Sequence, residues 1–302
     1  MTDLVIRALT EGDAQLFHTL KDPELVGRGR FGRTYATTGQ GGEYRPDWTW
    51  VALRDGRVVA RAAWWAAPDG TEPIALDWFD FADGEAEAAA ALLRTAPHHA
   101  EYTLMVPPGW RDRPEERAAA QARVDAAVAG GLTPLVERFR YEWTPGDGLP
   151  ERPGRLTFRP EPDDDVIAGV LGRIMPGTLD AHDVKAMAEG GVEAAVRELM
   201  EFLSWCPSPR EWWRLAVDAD GDVVGIQVPA HNPGGPCVGY IGVVAEHRGH
   251  GYAYDLLVEC THDLVERGAT RIAAATDQGN APMAAHFARA GYPVTQEVIN
   301  LV

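Results

Sequence analysis

Apolar and polar positions alternate over Trp50 to Ala60, "WVALRDGRVVA", and again over Arg214 to Gly225, "RLAVDADGDVVG". Each stretch is an apolar run, an Asp-Gly turn and a second apolar run. Alternation sends successive side chains to opposite faces, and Asp-Gly accepts the positive φ of a tight turn, so each predicts a two-stranded hairpin. Around the second hairpin, "RLTFRP" predicts a strand, and the apolar spacing of three and four in "DDDVIAGVLGRIM" and "VEAAVRELMEFLSW" predicts helices. After it come a strand over "CVGYIGVV", a glycine-containing loop, a helix through about Glu266, a strand over "TRIAAATD", a helix over "APMAAHFARA" and a closing strand over "YPVTQEVINLV". The order is mixed α/β.

The pattern recurs. "LVIRALTEGD" from Leu4 resembles "LTFRPEPDDD" from Leu156, and "AGGLTPLVE" from Ala129 resembles "RAGYPVTQE" from Arg289, at offsets of about 150 to 165 residues. The chain therefore reads as two copies of one domain, 1–147 and 148–302. Proline and glycine cluster at the expected junction, "TPGDGLPERPG", Thr144 to Gly154.

Composition narrows the function classes. The formal charge of −17 over 302 residues opposes broad contact with nucleic acid or an anionic membrane, both of which need basic surface. No apolar run reaches the ~18–20 residues of a membrane span, and the opening "MTDLVIRALTEGD" has no basic region before an apolar one, so a cytoplasmic protein is expected. Three cysteines without CxxC spacing, Cys206, Cys237 and Cys260, read as buried thiols. "DADGD", Asp218 to Asp222, has its glycine too early for a calcium loop and reads as a turn; no metal is expected.

The stretch "VVAEHRGHGYAYDLL", Val243 to Leu257, places Arg248, Gly249 and Gly251 between an apolar strand and a helix. Glycines that turn sharply in front of a helix N-terminus aim unpaired N–H groups at one point, which forms a nest for an anion. The run Arg248-Gly249-His250-Gly251-Tyr252-Ala253 resembles the Arg/Gln-x-x-Gly-x-Gly/Ala signature of the GCN5-related N-acetyltransferases. Downstream, Asn280, Met283, Gly291 and Tyr292 in "GNAPMAAHFARAGY" resemble that family's second signature, at the usual separation. Through the repeat, the whole chain resembles a tandem acetyltransferase-fold protein: two domains, each a mixed, mostly antiparallel sheet flanked by helices.

The resemblance implies an acyl-CoA cosubstrate, acetyl-CoA foremost, and a small-molecule amine as acceptor. Backbone N–H groups of Gly249, His250, Gly251, Tyr252 and Ala253 would hold its pyrophosphate, with a charge-assisted hydrogen bond from Arg248. Backbone groups near Val243 and Val244 would hold the pantetheine arm and polarise the thioester. Asn280 is expected on the arm or as a helix cap, and both readings stand. Met283 and Phe287 are expected against the cofactor, Met283 also reading as core. Family members often use a Glu near the central strand as base and a Tyr on the last helix as acid. Here Cys237 to Val243 holds no carboxylate, and Phe287 stands in the tyrosine's place. Tyr240, His231 and Asp277 are the remaining candidates for proton handling. His286 lies about 100° around the helix from Phe287 and need not face the thiol. A non-catalytic acyl-CoA sensor is the alternative reading, followed by an aminoacyl-tRNA-dependent transferase, which the −17 charge disfavours.

The first copy lacks these features. Aligning Ala91–Leu93 with Asp255–Leu257 puts Gly84 at the place of Arg248, and Glu85 and Glu87 at those of Gly249 and Gly251. Carboxylates in a first helical turn stabilise the helix and repel a pyrophosphate. Asp77 and Asp80, on a strand with Trp78 and near Trp64 and Trp65, read either as carboxylates at the edge of a tryptophan-packed sheet or as an acceptor pocket.

Overall fold

The computed structural model describes residues 4–67 and 70–302. Two compact units divide the chain: one runs from the N-terminus through Glu137 and takes in Gln296–Val302, the other is Arg138–Thr295. The first contains β1 (Leu4–Ala8), β2 (Thr49–Arg54), β3 (Arg57–Trp65), β4 (Ala75–Phe81), α1 (Ala86–Thr95), β5 (Glu101–Val106) and α2 (Pro114–Ala129). After β6 (Pro134–Trp143), the second continues with β7 (Thr157–Pro160), α3 (Asp164–Ile174), α4 (Ala181–Trp205), β8 (Arg214–Val217), β9 (Val223–Asn232), β10 (Gly235–Val243), α5 (Tyr252–Glu266), β11 (Ile272–Asp277) and α6 (Ala281–Arg289). The last strand is β12 (Val294–Leu301).

Both units show the expected mixed, mostly antiparallel sheet with flanking helices. Strands run β1-β2-β3-β4-β5-β12 in the first and β7-β8-β9-β10-β11-β6 in the second. The final strand of the chain pairs with β5, Glu297 opposite Val106 through Leu301 opposite Tyr102. The final strand of the first repeat pairs with β11, Trp143 opposite Ile272 through Arg138 opposite Asp277. Each repeat thus gives its last strand to the other unit's sheet, an exchange that a contiguous division at 147 does not contain. The Asp55-Gly56 hairpin forms as its sequence dictates, with both residues at positive φ, 50° and 76°.

Among the described residues each unit has one parallel pair, β4 with β5 and β10 with β11, joined through one helix, α1 or α5. Register contacts are confined to the start of each pair: Ala75 with Glu101 and Leu76 with Tyr102 in the first unit, Cys237 with Ala273 in the second. Beyond these points the strands part.

In the first unit the chain itself fills the parting. Gly27 donates its N–H to Met105 O of β5 at 2.7 Å. Beside it, Arg28 pairs with Asp77, whose other oxygen accepts the Tyr44 hydroxyl at 2.9 Å. Asp80 accepts from Arg61 at 3.1 Å and from Arg123 at 3.3 Å, and Arg61 also donates to Phe17 O and Leu20 O at 2.7 and 2.8 Å. Asp77 and Asp80 are buried, so they neither edge a sheet nor line a pocket. They anchor the segment that occupies this space. Gly84 and Glu85 precede α1 as the repeat alignment places them, and Glu85 is taken up by Arg54 at 2.9 Å.

The second unit's core packs Leu171, Ile174, Leu203 and Trp213 of the α3 and α4 side on Ile226 and Val228 of β9. On the other side lie Trp143, Leu257, Leu264, Ile272, Phe287 and Tyr292. The three cysteines are free and buried. Among the described residues no helix is long and apolar enough to cross a membrane.

Removing one member of a buried ion-pair network leaves an uncompensated charge. Asp80→Ala leaves the fully buried Arg61 with Asp22 as its remaining carboxylate and takes away the carboxylate that Arg123 pairs with, and should cost about 3–5 kcal/mol, read as a lower urea midpoint.

Candidate functional site

In the second unit the parting of β10 and β11 stays open, and a cleft of about 890 Å³ runs from it to the head of α5. The Val244 N–H bonds Val224 O of β9 at 3.0 Å. Because backbone groups alternate along a strand, those of Val243 and Ile241 face the other way, toward the opening. A bulge at Gly239, between the pairs Val238–Pro229 and Tyr240–Val228, sets this phase.

At the other end lies the glycine loop. Gly249 and Gly251 have φ of 83° and 76°, a left-handed backbone that an L side chain resists, and α5 begins at the next residue. The N–H groups of Gly249, His250, Gly251, Tyr252 and Ala253 make no hydrogen bond among the described residues. Five converging donors with the positive end of a helix dipole form an anion site. An acid does sit in the first turn: Asp255, buried, would oppose an anion. Arg155 neutralises it, with Nε 3.0 Å from Oδ1, while its Nη1 donates to His250 O at 3.0 Å and its guanidinium lies 5.1 Å over the Tyr252 ring. This arginine, the first residue of the stretch "RLTFRP" that predicts a strand, is a cation beside the loop that sequence reasoning missed.

Arg248 serves differently from expectation. Its guanidinium donates to Val243 O at 3.2 Å, Pro176 O at 2.7 Å and Ile174 O. Three of its five donors thus tie the end of α3 to β10 and the loop, so it positions the nest more than it supplies charge to an anion.

The third wall is the head of α4, where apolar spacing predicts no helix before Val192. Asp180 caps it, accepting the N–H groups of His182 and Asp183 at 2.9 and 3.3 Å. The helix bends at Gly191, where φ is 80°, and its two halves line the cleft with His182, Asp183, Glu198, Leu199 and Phe202. Burial, then the neighbouring Asp180, pushes the Asp183 carboxyl up to about 6. Burial also pushes Tyr240 up, helped by Asp183 and Asp180.

Of the three proton-handling candidates, only Tyr240 lines the cleft. His231 sits at the closed end of the β9–β10 hairpin, its ring edge-on to Trp212 at 5.4 Å, because the strand carries it away from the opening. Asp277 is committed: Oδ2 accepts the Ala181 N–H at 2.7 Å and Oδ1 pairs with Arg138 Nε at 2.9 Å. It secures the N-terminus of α4. Val244 is likewise corrected, since its N–H belongs to β9. Asn280 caps α6, accepting the Met283 N–H at 3.2 Å, and borders the cleft with Met283. Phe287 is buried in the cleft floor, stacked on Tyr141 with centroids 4.3 Å apart. His286 faces the cleft after all, and burial with Arg289 lowers its pKa. Elsewhere, Asp218, Asp222 and His247 bring one ligand atom each within 4.8 Å of one another. The first two are held by turn hydrogen bonds, Asp218 Oδ1 accepting the Asp220 and Asp222 N–H groups.

Residues 187–292 match the model of the acetyltransferase (GNAT) family. A search of curated proteins returned no match. Among solved structures, the fold is similar to a GCN5-related N-acetyltransferase from Sphaerobacter thermophilus, at 19% identity and a TM-score of 0.55 over 99% of this chain and 94% of that one. It is also similar to a tandem GNAT protein from the clavulanic acid biosynthesis pathway, at 18% identity and a TM-score of 0.50 over 99% and 98%.

The environment of Asp183 makes stability depend on pH. Its pKa is about 6 in the folded chain against a usual 3.8, so the folded state holds the proton more tightly. Below about pH 4 both states are protonated and nothing is lost; as pH rises through 6 the unfolded chain ionises first, and stability falls. Asp183→Asn should therefore gain on the parent between about pH 4 and 7 and keep a constant offset below that range, read from urea midpoints across pH.

Proposed function

From the premise that the second unit carries a domain of the GNAT acetyltransferase family, we propose that this chain is an acyl-CoA-dependent N-acyltransferase, with acetyl-CoA the leading donor and a small-molecule amine the acceptor. The observation that carries the reading is the open parting of β10 and β11 leading into five unbonded N–H groups at the head of α5. The loop Gly249–Ala253 suits a pyrophosphate, and the outward backbone groups of Ile241, with the Val243 N–H, suit an amide-bearing arm. An acyl-CoA bound there would supply an activated thioester; its acyl group passes to the amine as a C–N bond forms and the C–S bond breaks, and the thiolate takes a proton and leaves as the thiol.

The chain's own residues then have two tasks. One is to keep a proton near the leaving sulfur. Tyr240, whose raised pKa holds the phenol neutral, lines the cleft and is able to donate a hydrogen bond there. The other is to leave the amine unprotonated when it attacks. A lysine-like amine of pKa ~10.4 is neutral in only about one part in 2,500 at pH 7, a handicap near 4.6 kcal/mol, so an acceptor of lower pKa or a carboxylate that takes the proton eases the chemistry. Asp183, at the head of α4, fits the second role. Phe287 in place of a tyrosine gives the sensor alternative its support, because phenylalanine cannot donate a proton.

Titrating CoA alone by calorimetry should give one site per chain, since the first unit's parting is filled by its own segment. Two equal sites, or none, would overturn the reading. Gly251→Ala forces an L residue into left-handed backbone at about 1–2 kcal/mol, and relaxation of the loop should weaken CoA about tenfold. A mass-spectrometric screen of amines with acetyl-CoA then separates enzyme from sensor. Tyr240→Phe should lower turnover by about 10²–10⁴ with CoA affinity unchanged, and undiminished turnover would remove Tyr240 from the chemistry.

A further inference from the structure

The cleft wall formed by α4 and the residues before it has two properties that the cofactor reading does not use. One is apolar exposure: Leu179 is 53% and Phe202 52% exposed, both line the cleft, and Leu199 lies with them. Large apolar side chains left in water favour any ligand that covers them. The other is an unmatched charge. Asp180 is paired with Arg138 at 3.2 Å and caps its helix, whereas Asp183 pairs with no cation among the described residues. Its side-chain hydrogen-bond partner among the described residues is the Thr178 hydroxyl, at 3.3 Å, and His182 and Arg138 act on it through space. Glu198, also on the cleft wall, adds negative charge. The cationic side chains of the cleft are already committed, Arg138 to Asp180 and Asp277 and Arg248 to backbone carbonyls. A half-buried carboxylate beside an apolar wall selects a ligand that brings its own positive charge.

We infer that the acceptor is an amphiphilic amine, whose ammonium group pairs with Asp183 and whose apolar body lies along Leu179, Leu199 and Phe202. The inference rests on the acyltransferase reading in taking this end of the cleft as the acceptor's. It excludes two classes that a generic amine site would admit: acidic acceptors such as free amino acids, whose carboxylate would meet Asp183 and Glu198, and strongly hydrated polyhydroxyl amines, which would leave the apolar wall wet.

The test uses straight-chain primary amines from ethylamine to octylamine, with 1-octanol and octanoate as controls, titrated by calorimetry into the full chain with CoA present. Affinity should rise about threefold to fourfold per added methylene as the chain reaches Phe202, the gain for burying one CH₂. Octylamine should bind at least about tenfold more tightly than octanol, and octanoate should bind least, as the charge of the wall dictates. Phe202→Ala should flatten the chain-length dependence. Asp183→Asn should abolish the preference for octylamine over octanol while leaving the chain-length dependence intact. Equal binding of ethylamine and octylamine by the parent protein, or tighter binding of octanoate, would overturn the inference without recourse to any variant. The CoA titration scores the underlying reading separately: one CoA per chain with no amine preference leaves the acyltransferase standing and this inference fallen. Chain-length-dependent amine binding without CoA affinity does the reverse.

Discussion

Everything at the site depends on one strand pair that is held at one end only. β10 and β11 run parallel and share a register contact at Cys237 and Ala273, after which β11 pairs with β6 and β10 with β9. A parallel pair whose ladder stops leaves backbone donors and acceptors facing an opening, and such groups need a partner. Arg248 accounts for one, the Val243 carbonyl, and by doing so fastens the end of α3 across the mouth. Those that remain face a ligand-sized space.

The first unit shows the same constraint resolved within the chain. Its parallel pair also parts after two residues, yet the parting holds Gly27 on Met105 O, with Arg28, Arg61 and Arg123 answering Asp77 and Asp80. Buried carboxylates need buried cations, so the filling is specific. Two copies of one architecture thus reach opposite states. In one the segment ahead of the hairpin enters the gap. In the other, the corresponding region forms α3 and α4 and becomes the gap's wall.

Charge is distributed to match. With a formal charge of −17, an anion site on this chain rests on backbone dipoles and few cations, and the loop follows that rule: five N–H groups, with Arg155 cancelling the one acid in the first turn of α5. The acidic surplus instead reaches the cleft at the head of α4, through Asp180, Asp183 and Glu198. One end of the cleft therefore presents N–H groups and the other carboxylates.

Features set within a few residues were legible in the sequence. The Asp55-Gly56 turn, the left-handed Gly249 and Gly251 ahead of α5, the Asn280 cap and the helix and strand order of the second half all follow from local φ preference, spacing and hydrogen bonding, and the carboxylates at the start of α1 were placed by the same reading. What required tertiary structure was every partner far along the chain. Arg248 looks like a phosphate ligand until carbonyls more than 70 residues away claim it. Asp277 looks like a base until Arg138 and the Ala181 N–H take both its oxygens. Asp183 looks like an ordinary residue in a helix-poor stretch until α4 buries it against Asp180, since Gly190 and Gly191 break the apolar period that would have marked the helix. The exchange of β6 and β12 is hidden for a related reason: alternation fixes which face of a strand is apolar, but the pattern is the same whichever sheet the strand joins.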